Sequence, residues 1–156
     1  MSHYDPRQYL TIQQQETYRA CIVYAPAMGH KTAWARRLHD AAGAYLFDLQ
    51  VYFVNQPELA ARIDRFRPAD LESLLLGLNV PESIVVVDNM DFLLNTWPSR
   101  YRQEFVNLVE RRLKSPGVTD KIFVFMIQDD PTITRRTVTN SRGQPRIIPL
   151  REFQAL

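Results

Sequence analysis

The sequence is most informative first in what it has little of. It carries a single cysteine, Cys21. That excludes a disulfide framework and a cysteine metal centre. Cys21 stands inside an apolar run, where a buried, inert thiol is expected. No apolar stretch reaches the length needed to span a membrane. The opening "MSHYDPRQYL" has neither the basic nor the apolar region of a signal peptide, so a cytoplasmic protein without a membrane partner is expected. No internal repeat or low-complexity tract stands out. Strong charge of either sign is missing too, with a net charge of +2, although basic residues gather in the C-terminal quarter.

What is present points to a globular fold. Hydrophobic residues make up 46% and charged residues 23% of 156 residues, the composition and size of one domain with one core, here residues 1–156. Apolar strands alternate with helical patterns. "ACIVYA" (20–25), "AYLFDL" (44–49), "ESIVVVDN" (82–89), "KIFVFMI" (121–127) and "RIIPL" (146–150) read as strands. "KTAWARRLHDAAG" (31–43) reads as a helix with Trp34 and Leu38 on one face and Gly43 at its end. "NQPELAARIDRF" and "RPADLESLLLGL" read as two helical pieces opened by Pro57 and Pro68. "SRYRQEFVNLVERRL" (99–113) reads as a helix with Phe105, Leu108, Val109 and Leu113 inward. Three of the strands are continuously apolar, as parallel strands covered on both faces are. The expected fold is therefore α/β: a three-layer α/β/α sandwich with a mainly parallel sheet of about five strands.

The first chemical feature is "APAMGHKT" (25–32), between a strand and a helix. It nearly spells the phosphate-binding pattern G-x-x-x-x-G-K-[ST] (Walker A). Backbone N–H groups at a helix N-terminus cradle an anion, a lysine reaches the β- and γ-phosphates, and a hydroxyl serves magnesium. Lys31 and Thr32 fill the last two places. Ala25 and His30 stand where the glycines belong, and Gly29 is one place early. His30 crowds or shields the phosphate position; Gly29 is expected to absorb the unusual backbone angle one residue sooner. The competing reading is a generic strand-to-helix turn with a chance Lys-Thr pair. On the positive reading, Gly29, His30, Lys31, Thr32 and Ala33 bind the phosphates.

The second feature is "IVVVDNMD" (84–91). A strand ending in an acid supports the magnesium shell in phosphate-loop proteins, and Asp88 fits this Walker B role. Thr32 and Asp88 would then hold Mg²⁺. Two such strand ends must be neighbours in one parallel sheet, so each feature supports the other.

Together these features resemble the P-loop NTPase superfamily in its additional-strand, RecA/AAA-like division, over roughly residues 20–150. The resemblance implies a strand order 5-1-4-3-2 and ATP as the nucleotide. It implies a glutamate directly after the Walker B acid, yet this chain has Asn89, which cannot accept a proton. Asp91 is the nearest carboxylate, either a substitute base or an N-cap and surface residue. Gln128, ending "KIFVFMI", matches the place of a polar sensor near the γ-phosphate, and equally suits a loop glutamine without a role. From Thr132 to Arg151 the chain carries Arg135, Arg136, Arg142, Arg146 and Arg151 and no acid. One of these could reach a nucleotide in a neighbouring subunit. Arg135, Arg136 and Arg142 could touch DNA phosphates, or the stretch is a solvated basic face.

The short length, "GHKT", "VVVDNMDFLL" and "FVFMIQDDP" are similar to BrxF-type small P-loop proteins of bacteriophage-exclusion (BREX) systems. That resemblance implies a part in prokaryotic antiviral defence, beside a larger ATPase or through self-association. Without an acid after Asp88, slow or partner-dependent hydrolysis is expected, with Asp91 and Gln128 as candidate catalytic groups. The alternatives are a nucleotide-free relic acting as a protein-interaction module, and a DNA-binding accessory.

Overall fold

In the computed structural model, residues 4–27 and 29–156 are described; Met28, within the loop singled out above, and the first three residues lie outside them. Five strands form one sheet: β1 (Ala20–Ala25), β2 (Tyr45–Asp48), β3 (Ile84–Asp88), β4 (Ile122–Gln128) and β5 (Ile147–Pro149). Their order is β2-β3-β4-β1-β5, and every pairing is parallel. Counted from the β5 edge this is 5-1-4-3-2, the order that the resemblance implies.

The continuous apolar runs are explained by two cores, one on each face of the sheet. Successive side chains of a strand point to opposite faces. Ile22, Val85, Val87, Phe123 and Phe125 join one core, while Cys21, Val23, Val86, Val124 and Met126 join the other. The first core is closed by α5 (Pro68–Leu76) and α7 (Ser99–Asn107), through residues such as Leu71, Leu75, Phe105 and Val106. The second is closed by α1 (Pro6–Gln13) and α2 (Lys31–Ala42), through Tyr9, Leu10, Trp34 and Leu38. The result is the three-layer α/β/α sandwich.

α2, which follows β1, covers one face, whereas the helices between β2, β3 and β4 cover the other. In open α/β sheets such a change of side leaves a crevice at the carboxyl ends of the strands, where ligands bind. The carboxyl ends of β1, β3 and β4 are the ones that carry the candidate residues.

Several details depart from the sequence reading. The "NQPELAARIDRF" piece is a short α4 (Pro57–Ala60) and a 3-10 turn (Ile63–Arg65), not one helix. The expected 99–113 helix ends its α-helical part at Asn107 and continues as a π-helical turn, Leu108–Arg112. Four α-helices were not expected: α1 (Pro6–Gln13), α3 (Leu49–Val54), α6 (Asp91–Thr96) and α8 (Pro131–Thr134). Cys21 is a free, buried thiol. Among the described residues, no helix is long and apolar enough to cross a membrane.

Candidate functional site

β1 ends at Ala25 and the chain turns sharply. The Gly29 N–H donates to the Pro26 carbonyl at 2.9 Å. A Cβ on Gly29 would lie 2.6 Å from the Ala25 Cβ and 2.8 Å from the Pro26 carbonyl oxygen. Glycine is needed here for space. The left-handed conformation belongs to the next residue: His30 has φ 62° and ψ 32° and stands at the N-cap of α2. The expectation that Gly29 takes the unusual angle is thus corrected. Gly29 lies close against Ala25 and leaves the left-handed conformation to His30, a residue type enriched among non-glycine left-handed positions.

His30 gives no side-chain cap to the helix and its side chain is exposed. The Trp34 N–H closes the first helical turn on the His30 carbonyl at 3.1 Å, so the N–H groups of residues 31–33 precede the intrahelical ladder. Residues Gly29 to Ala33 line an open depression of about 370 Å³. Free N–H groups and the positive end of the helix dipole favour an anion at such a place.

Thr32 and Asp88 meet. The Thr32 hydroxyl donates to Asp88 Oδ2 at 2.9 Å, linking the start of α2 to the end of β3; the two strands expected to be neighbours are in fact separated by β4, and the side chains meet across its end. Asp88 is only 5% exposed. Its second oxygen, Oδ1, is buried and has no hydrogen-bond partner among the described residues. A buried carboxylate oxygen left unpaired is costly, and a cation or ordered water would satisfy it. Among the described residues no group of three His, Cys, Asp or Glu side chains could hold a metal alone. A pair of hard oxygen donors suits Mg²⁺, which keeps most of its waters and takes the rest of its shell from phosphates.

Asp91 is neither an N-cap nor an idle surface acid. Met90 is the cap of α6, and Asp91 opens its first turn. Asp91 Oδ1 accepts the Gln128 N–H at 2.8 Å, and its Oδ2 lies 3.7 Å from Lys31 Nζ. Gln128 is the last residue of β4, exposed and in register with Ala25 of β1. Lys31, Asp91 and Gln128 are therefore brought together at the same end of the sheet as Thr32 and Asp88.

Two site residues escaped the sequence reading. Asp48 ends β2 in register with Asp88. Its Oδ2 accepts from Asn89 Nδ2 at 2.8 Å and its Oδ1 caps α3 at the Val51 N–H, 3.0 Å away. Asn89 itself is left-handed, with φ 55°. The signal for Asp48 was in the sequence, an acid closing the apolar "YLF" as Asp88 closes "IVVV". The second is Arg102, which shares a depression of about 230 Å³ with Asp91 and Gln128. Its Nε donates to the carbonyls of Leu94 and Trp97, and its Nη1 lies 3.4 Å from Asp130 Oδ2.

The arginines near the C-terminus separate clearly. Arg135, Arg136, Arg142 and Arg151 are exposed. Arg146 is 2% exposed and donates to the carbonyls of Ala20, Val109 and Glu110. Burial pushes its pKa below the ordinary arginine value. It is a structural residue that ties β5 to β1 and the π-helical turn, so its inclusion in a solvated or ligand-reaching basic face is corrected.

Compared with known family models, curated proteins and solved structures, the chain matches none of them.

Proposed function

We propose that this chain is an ATP-binding P-loop protein with a degenerate Walker A loop, acting as a nucleotide-dependent switch or assembly subunit. The observation that carries the proposal is the Thr32–Asp88 hydrogen bond at 2.9 Å with the partnerless Asp88 Oδ1 beside it. A chance Lys-Thr pair in a generic turn would have no reason to face a buried strand-end acid two strands away. On this reading the N–H groups of residues 29–33 hold the phosphates and Lys31 reaches the β- and γ-phosphates. Thr32 and Asp88 hold Mg²⁺, directly or through water. The 5-1-4-3-2 sheet order supports the P-loop reading.

Turnover by the isolated chain is slow on this reading. Asn89 cannot accept a proton, and Asp91 is engaged by both Lys31 and the Gln128 N–H. An exposed arginine from another subunit or protein would complete the site. The resemblance of "GHKT", "VVVDNMDFLL" and "FVFMIQDDP" to BREX P-loop proteins is what supports proposing a part for such an assembly in antiviral defence, next to a larger ATPase.

Thermal melting tests the binding step. With Mg–ATP at about tenfold its Kd, the stabilisation is about 1.4 kcal/mol, which raises the Tm of a domain this size by about 3–6 °C. Lys31→Ala should abolish the shift. No shift at millimolar Mg–ATP overturns the proposal and leaves the nucleotide-free interaction module.

A further inference from the structure

Lys31 is the cation of the loop, yet its ammonium is already engaged. It lies 3.7 Å from Asp91 Oδ2, with the two side chains 15% and 28% exposed. The carboxylate is fixed from its other side, because Oδ1 accepts the Gln128 N–H at 2.8 Å. One acid thus joins the start of α2, the start of α6 and the end of β4. We infer that Asp91 is a counter-ion that a phosphate ligand must displace from Lys31, and that this exchange sets the affinity of the site and its preference for metal-bound over free phosphates. The inference rests on the nucleotide-binding reading and gives that site its regulation.

Three physical points lead to it. Lys31 cannot serve a phosphate fully while it is held by Asp91. A partly exposed pair of this kind restrains its lysine by a factor of about two to five. Second, Asp91 does not carry its charge away when Lys31 leaves, because the Gln128 N–H retains its other oxygen. An arriving phosphate therefore meets Asp91 as well as Asp88. Third, a divalent cation held at Thr32 and Asp88 would offset this repulsion, whereas free ATP would bear all of it. Asp91 is on this view a positioning residue, acting through Lys31, and not the base that the sequence suggested.

Asp91→Asn tests the inference, since the carboxamide keeps an oxygen for the Gln128 N–H and loses the charge. Titration calorimetry with ATP, with and without Mg²⁺, is the measurement. Asp91→Asn should bind Mg–ATP about two- to fivefold more tightly than wild type, with a larger gain for Mg²⁺-free ATP. Asp91→Glu keeps the charge and should bind as wild type does. In steady-state assays the effect of Asp91→Asn should appear as a lower KM. Asp91→Ser also drops the charge and gives the same comparison should Asp91→Asn misfold. Unchanged or weaker binding by Asp91→Asn overturns the inference, as does loss of kcat with unchanged affinity, the signature of a catalytic base. If wild type binds ATP and Asp91→Asn gains nothing, the counter-ion role falls alone. If wild type and all three variants fail to bind, the nucleotide reading falls with it.

Discussion

In the loop, two jobs that one glycine usually performs are divided between Gly29 and His30. Gly29 supplies space, with the Ala25 Cβ and the Pro26 carbonyl where its own Cβ would be. His30 supplies the left-handed turn. Gly29→Ala should therefore cost about 1–3 kcal/mol in urea denaturation, the usual range for forced overpacking. His30→Gly should leave stability within about 1 kcal/mol, because relief at positive φ is offset by the freedom glycine adds to the unfolded chain. On the proposed nucleotide-binding reading, His30→Gly should also keep Mg–ATP binding while Gly29→Ala weakens it; the opposite order in calorimetry would show that the imidazole, not the spacing, shapes the loop. Asn89 carries a similar lesson. Its amide donates to Asp48, so a simple return of an acid at this position sets two carboxylates against each other. Asn89→Asp should lose about 1–3 kcal/mol, and the exchange Asp48→Asn with Asn89→Asp should recover most of it. Equal destabilisation of the single and exchanged variants in urea melts would deny that the pair matters.

Among the elements, the strands were legible and some of the helices were not. β3 and β4 are continuous apolar runs, mostly β-branched or aromatic, up to their last polar residue, the pattern of a strand covered on both faces. α3 was hidden because "LQVYFV" is apolar and carries two β-branched valines, a composition that suits a strand as well as a helix. What ends β2 is Asp48, whose carboxylate caps the helix, and a six-residue helix is too short to display its period. The basic stretch near the C-terminus misled for a different reason. Composition cannot tell an arginine that faces water from one that faces carbonyls. Arg146 serves Ala20, Val109 and Glu110, and the π-helical turn Leu108–Arg112 supplies two of these three acceptors. Arg146→Met should cost at least about 2 kcal/mol, since several buried carbonyls lose their donor. Arg142→Ala, at an exposed position, should stay within about 0.5 kcal/mol. Equal effects of the two in chemical denaturation would contradict the division made here.

For the molecule as a whole, strand order turns separate motifs into one site. The meeting of Thr32 with Asp88 was legible, because each motif names a strand end. Asp48 was marked in the sequence only as an acid closing an apolar run, and Arg102 not at all, because their places in the site depend on which strands neighbour which and on how helices fold back over β3 and β4. The same layering buries the β1 thiol and the α1 phenol in the core on the α2 face, with a consequence for stability at alkaline pH. Burial pushes the Cys21 thiol from 9.0 up to about 12, and raises the Tyr9 phenol well above 10.0. Both groups are acids that stay neutral when folded and ionise at their ordinary values when unfolded. Above pH 9.0 the unfolded chain therefore holds fewer protons than the folded one, so stability falls as pH rises. The stabilising effect of keeping Cys21 protonated is absent as a pH-dependent quantity below its unfolded value, and the loss runs from about 9 toward its folded value of about 12. Thermal melts between about pH 8 and 10.5, below the arginine range, should show Tm declining through this window. Cys21→Ala should flatten the decline, leaving the part due to Tyr9 at its upper end. An unchanged slope in Cys21→Ala would mean that the thiol is not the group held neutral by the core.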